Sequence, residues 1–339
     1  MLCDSETSCG VQSCRLCAVG QSLRLWTPCL FMTTYPPYEQ GYFPVSDGHQ
    51  LYYERYGNPS GLPVLFVHGG PGAGFAEADK GFFDPAIFNV LLFDQRGAGR
   101  SQPFASLADN TTPKLVADIT KLLDHFHLSQ LLLFGGSWGS TLALAYAIQH
   151  PERVSAMLLR GIFLASSEAI DHFIGGGVAQ FFPEVWERFI SHVPEPERDD
   201  VVGYYLRQMQ SDNESTRERY TYEWAFYEIS LVKLEVTPTD VEQLLTQFSY
   251  RSMSPLEAHY TYHQCFMADN FILQHAAELA HLPISIVHGR YDAICLPKHA
   301  YQLHQRLPNS QLHFVCAGHS STEPAIKAKL IVELARLGG

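Results

Sequence analysis

The stretch Leu131-Leu132-Leu133-Phe134-Gly135-Gly136-Ser137-Trp138-Gly139-Ser140 decides how this chain is read. An apolar run ends in glycines, a serine follows between Gly135 and Gly139, and residues 141–150 then read as a helix. Strand, sharp turn and helix in that order form the setting of a nucleophile elbow. The serine of such an elbow sits on a strained turn, so its neighbours must be nearly without side chains. The turn lifts the hydroxyl clear of the sheet and aims the next backbone N–H at the same space. Ser137 is therefore the candidate nucleophile. A glycine-rich turn with an incidental serine is the bland alternative, and the strand before and helix after argue against it.

Working outward, residues 51–56, 64–68, 90–94, 131–135, 156–160, 284–288 and 312–315 are short apolar runs that end near Gly, Asp or His. Buried strands of a parallel sheet have this composition. Between them, Leu115, Ile119, Leu122, Leu123 and Phe126 follow helical spacing behind Thr112-Pro113, which reads as an N-cap and a first-position proline. Residues 297–307 and 323–337 also read as helices. Alternating strands and helices predict a mostly parallel, doubly wound α/β sheet. The alternation stops over residues 166–275, an aromatic and charged stretch that includes Phe181-Phe182, Trp186, Tyr204-Tyr205 and Trp224. The expectation is a helical cap domain over 166–275, inserted into a catalytic domain built from 32–165 and 276–339.

A serine hydroxyl needs a base and an orienting acid. On the α/β-hydrolase fold, which this pattern indicates, they follow in the order Ser, Asp or Glu, His. Asp292, in Gly289-Arg290-Tyr291-Asp292, follows one late strand, and His319, in Ala317-Gly318-His319, follows the next. Both fall on the sheet edge where such folds place their sites. His288 is the rival base, but it ends its strand too close to Asp292. The loop His68-Gly69-Gly70-Pro71-Gly72-Ala73-Gly74 lacks the Lys-Ser/Thr ending of a phosphate loop. It suits an oxyanion hole, with the N–H of Gly70 (Gly69 as the alternative) acting together with that of Trp138.

The formal charge of −12 over 339 residues argues against nucleic-acid binding, which needs a basic face. No apolar run approaches a membrane span, at roughly 18 residues. Cys3, Cys9, Cys14, Cys17 and Cys29 crowd the first thirty residues, whereas only Cys265, Cys295 and Cys316 lie beyond. That is no disulfide scaffold, and it points to a reducing, cytoplasmic compartment. Cys14 and Cys17 have no second pair to complete a metal site, so none is expected. Residues 1–31 read as a disordered extension, or as a stretch upstream of a start at Met32.

These motifs resemble the prolyl aminopeptidases (proline iminopeptidases). The likeness runs from about Tyr35 to the end. It is carried by His68-Gly69-Gly70-Pro71-Gly72, Asp94-Gln95-Arg96-Gly97-Ala98-Gly99-Arg100-Ser101, Gly135-Gly136-Ser137-Trp138-Gly139-Ser140, Gly289-Arg290-Tyr291-Asp292 and Ala317-Gly318-His319-Ser320. The resemblance implies a cytosolic enzyme without cofactor that frees N-terminal proline from peptides. It also implies that Glu228, in Trp224-Ala225-Phe226-Tyr227-Glu228, and Glu257, in Leu256-Glu257-Ala258-His259-Tyr260, hold the substrate amine, with Trp224 and Tyr227 as pocket walls. Tyr227 and Ala258 stand where the family pattern has Trp and Asn. Cys295 matches a family cysteine near the site, which implies sensitivity to thiol reagents; a buried loop cysteine is the alternative. Two rival functions stand beside this one. One is an esterase, lactonase or amino-acid amidase on the same scaffold, which an apolar cap without paired carboxylates would favour. The other is a catalytically silent binding protein, against which the intact Ser, Asp and His set argues.

Overall fold

A computed structural model describes residues 36–246 and 249–339. The expected extension over 1–31 and its cysteines lie outside the described residues. Eight strands form one sheet: β1 Glu39–Pro44, β2 Gln50–Gly57, β3 Leu62–Val67, β4 Phe88–Phe93, β5 Leu131–Gly136, β6 Val154–Arg160, β7 Ile284–Gly289 and β8 Ser310–Val315. Their spatial order is β1-β2-β4-β3-β5-β6-β7-β8. β2 runs antiparallel to both β1 and β4, and every later neighbour is parallel. The helices are α1 Thr112–His125, α2 Trp138–Gln149, α3 Ser167–Ile174, α4 Pro183–Ser191, α5 Val201–Met209, α6 Glu214–Ile229, α7 Pro238–Leu245, α8 Tyr250–Tyr262, α9 Phe271–His275, α10 Pro297–Arg306 and α11 Pro324–Leu337.

The seven strands expected from apolar runs are present within two residues of their expected bounds. β1 escapes that reading. Its sequence Glu-Gln-Gly-Tyr-Phe-Pro alternates half-buried and exposed positions, pairs on one side only, and carries the Gly and Pro of an edge strand. Thr112 does not cap α1 as expected. It is already helical, and its hydroxyl donates to the Cys265 carbonyl, while Thr111 holds the extended cap position.

Successive strand residues face opposite sides, which gives the sheet two cores. Leu65, Leu91, Leu133, Leu159 and Ile286 pack with α1, α2 and α10, whereas Phe66, Leu92, Phe134 and Leu158 pack with α11 and the segment Glu77–Phe82. Strands buried on both faces have no polar side to mark, which is why they read as continuous apolar runs. Between β6 and β7 the described residues contain α3 to α9 and no strand. This insert has its own aromatic core. Phe189 stacks on Tyr205 and Tyr227, with centroids 4.4 and 4.3 Å away, and the cluster continues into Ile294 and Cys295.

Arg96, just past β4, locks three segments together. It donates to both carboxylate oxygens of Asp118 on α1 (2.6 and 2.8 Å), to Asp47 (3.0 Å) and to the Ser46 hydroxyl (2.7 Å). Arg96 and Asp118 are both buried. Removing one partner leaves the other charge buried and unpaired, so Arg96→Met is expected to lose about 3–5 kcal/mol in urea unfolding.

Candidate active site

Ser137 follows β5 and stands at the N-cap of α2 with φ 57° and ψ −128°, a strained setting worth roughly 1–3 kcal/mol. Its N–H donates to the Arg160 carbonyl (2.9 Å), which anchors the turn to β6. The glycines around it are steric necessities. A β-carbon on Gly135 would lie 2.3 Å from the Gly139 carbonyl oxygen, and one on Gly139 would lie 2.0 Å from that of Val67. Gly136 is glycine for another reason, since a β-carbon there would lie 2.6 Å from the Arg160 guanidinium.

His319 and Asp292 meet as the chain order suggested. His319 Nδ1 lies 2.7 Å from Asp292 Oδ2, and both residues are buried. The other Asp292 oxygen accepts from the N–H groups of Ile294 (3.0 Å) and Cys295 (2.8 Å). Burial opposes ionisation of Asp292, but His319 and the Cys295 N–H outweigh it and hold the carboxyl below its usual range. His288 is committed elsewhere. Its Nδ1 accepts from the Ile162 N–H (3.1 Å), so Nε2 carries the proton and donates to the Cys295 carbonyl (2.8 Å). Burial lowers its pKa, and it stays a neutral strut beneath Asp292.

Arg160 is the site residue that the sequence reading missed. Its Nη1 donates to His319 Nε2 (3.1 Å) and to the His319 carbonyl (2.9 Å). With Nε2 accepting, Nδ1 carries the proton toward Asp292. Arg160 thus occupies the lone pair that would face Ser137. The available signal was a charged residue closing an apolar strand at the carboxyl edge of the sheet. The Ser137 hydroxyl lies against the Cys295 thiol, which burial and then Asp292 push well above the ordinary cysteine range. Cys295 is buried and lines the small cavity that holds Ser137.

Among the described residues, neither the Gly70 nor the Trp138 backbone N–H donates to a carbonyl, and Gly70 lines the same small cavity as Ser137. Glu257, Phe163, Phe173 and Tyr260 also face that cavity. Trp224 and Tyr227, expected as pocket walls, sit behind it instead. Trp224 is fully buried and its indole N–H donates to Glu257 Oε2 (2.7 Å), while the Tyr227 hydroxyl donates to the Phe173 carbonyl. Large rings on α6 turn into the aromatic core of the insert, so residues from other segments wall the cavity.

Helices α6 and α8 are laced by Glu218 to Tyr250, Thr221 to Ser254 and Trp224 to Glu257, three rungs at helical spacing. That lacing brings Glu228 and Glu257 together, 8% and 7% exposed. Among the described residues, Glu228 Oε2 is buried without a hydrogen-bond partner. Burial raises Glu228 to about 7, and burial together with the neighbouring Glu228 raises Glu257 well above the carboxylate range. Among the described residues no cluster of three His, Cys, Asp or Glu side chains could hold a metal ion.

Residues 63–324 match the family model for the alpha/beta hydrolase fold. The chain is 41% identical to a probable proline iminopeptidase of Leptolyngbya boryana over 87% of this chain and 92% of that protein. It is 42% identical to the proline iminopeptidase of Arabidopsis thaliana, covering 87% and 79%. The chain belongs to the proline iminopeptidase family. A solved esterase from Thermogutta terrifontis is similar to it in fold, with TM-score 0.59 and 21% identity over 88% of this chain and 97% of that one. Membership in the family makes this chain a hydrolase on an α/β-hydrolase scaffold, and the geometry defines what each buried group must do there. If Asp292 orients His319, Asp292→Asn is expected to lower kcat by about 10³- to 10⁴-fold with the fold retained, as read by steady-state assay and circular dichroism.

Proposed function

We propose that the chain is a serine aminopeptidase that releases N-terminal proline from peptides. The observation that carries the substrate reading is the buried Glu228–Glu257 pair of the insert, in which Glu257 lines the cavity of Ser137 and one Glu228 carboxyl oxygen is unpartnered among the described residues. A buried acceptor without a donor is costly. A protonated secondary amine supplies both the missing donors and the opposite charge, and Phe163, Phe173 and Tyr260 suit the apolar face of a pyrrolidine ring. Anchoring the amine at a fixed distance from Ser137 confines cleavage to the first peptide bond. Residues 166–275 then act as the cap that carries this specificity.

In the proposed reaction His319 Nε2 exchanges its Arg160 donor for the Ser137 hydroxyl while Nδ1–H stays on Asp292. Nε2 takes the hydroxyl proton as Oγ bonds to the prolyl carbonyl carbon. The Gly70 and Trp138 N–H groups receive the oxyanion. The C–N bond breaks as the leaving peptide nitrogen takes the proton from His319. Water then repeats the sequence on the prolyl ester, freeing proline and restoring Ser137. Among the described residues no helix is long and apolar enough to cross a membrane.

Each charge-assisted contact to the amine is worth about 1.5–3 kcal/mol. Glu228→Gln is therefore expected to lower kcat/KM for a prolyl aryl-amide by about 10- to 100-fold, and that for a neutral acyl ester by less than about threefold; equal losses on both substrates contradict the amine anchor. The pH dependence has a definite sign. A carboxyl raised to about 7 is protonated below that pH and cannot match an ammonium. The kcat/KM for prolyl substrates should fall as pH drops through about 7, more steeply than that for the ester.

A further inference from the structure

Gln95 plays no part in the chemistry above, yet every polar group on it that faces the site is engaged. It follows β4 and is 2% exposed. Its backbone N–H donates to His68 Nε2 (2.9 Å) and its side-chain amide donates to the His68 carbonyl (2.9 Å). Its side-chain oxygen accepts from the Trp138 indole N–H (2.8 Å). His68 opens the loop that carries Gly69 and Gly70, and Trp138 carries the other candidate oxyanion donor. One amide therefore spans the two segments whose N–H groups must converge on a single oxygen.

We propose that Gln95 is a positioning residue that sets the spacing of the two oxyanion donors. The inference rests on the assignment of Gly70 and Trp138 to that role. The chemistry requires an amide: one end must donate to a carbonyl while the other accepts from an indole. A glutamate of equal length would set a carboxylate against the His68 carbonyl. The His68 ring is fixed by the same clasp. Its Nε2 accepts, so its Nδ1–H donates to the Gly69 carbonyl (2.8 Å), and burial keeps the ring neutral. The loop is thereby held from both sides of Gly69. Donors held in place before the oxyanion forms act without reorganisation, and a displacement of an ångström is felt in the rate.

The test compares two ligands on the purified full chain. Pyrrolidine carries only the amine, whereas a prolyl boronic acid adds a tetrahedral anionic adduct on Ser137. Gln95→Met is expected to weaken the boronic acid about 30-fold, in step with kcat on a prolyl aryl-amide, while KM and the pyrrolidine inhibition constant stay within about twofold. Unchanged boronic acid affinity, or equal loss for both ligands, overturns the proposal. Trp138→Phe removes only the indole donor and is expected to shift the boronic acid in the same direction by a smaller factor. It carries the test if Gln95→Met does not fold, and no shift there overturns the proposal. If the wild type binds the boronic acid no better than pyrrolidine, the donor assignment itself fails, and the proposal falls with it.

Discussion

The first turn of α2 rests directly on the end of β3, and the site depends on that approach. No side chain fits between them, since a β-carbon on Gly139 would overlap the Val67 carbonyl. The closeness sets Ser137 beside the loop that leaves β3, with the Ser137 β-carbon 3.4 Å from the place a β-carbon on Gly69 would take. It also holds Ser137 in a conformation that an isolated turn would abandon. The strain is local, and the packing that sustains it is spread over two cores. A hydroxyl, a glycine loop and a helix N-terminus converge because backbone meets backbone with nothing in between.

Charge is buried in two different ways. Arg96, Asp118 and Asp94 are closed circuits, each charge matched by an opposite one or by backbone, with Arg100 reaching Asp94 from a half-exposed position. Such groups lock loops and are structurally complete. Around the cavity the circuits are open. Arg160 has a histidine and a carbonyl rather than a carboxylate, and Glu228 has an oxygen with nothing to accept from. Unmatched polarity of this kind is expensive in a low dielectric, and it persists at sites that act on other molecules.

The helical insert does more than cover the sheet. The Val232 carbonyl, in the loop after α6, accepts from the N–H groups of both His319 (3.0 Å) and Ser320 (2.6 Å). Ile294 and Cys295, whose N–H groups hold Asp292, belong to the aromatic core of the insert. The loops carrying Asp292 and His319 are therefore positioned partly by the element that carries Glu228 and Glu257. Movement of the insert would be felt at both loops at once.

Much of this was legible in the chain alone. Strands buried on both faces announce themselves as unbroken apolar runs, and the elbow has a glycine pattern that few other structures require. The Ser137, Asp292 and His319 order follows from the same topology. Other features required distances between segments remote in sequence. An edge strand with one partner carries little apolar signal, so β1 was silent. Arg160 looks like an ordinary strand end until Gly136 and His319 close around it. Trp224 and Tyr227 looked like pocket walls, but a helix in an insert can present its rings to either side, and core packing turned them inward. The sequence by itself determined the sheet and which side chains could do chemistry, because burial and backbone sterics act locally along the chain. The tertiary structure decided which of those groups touch, because hydrogen bonds and buried charges depend on separations of a few ångströms that no spacing along the chain specifies.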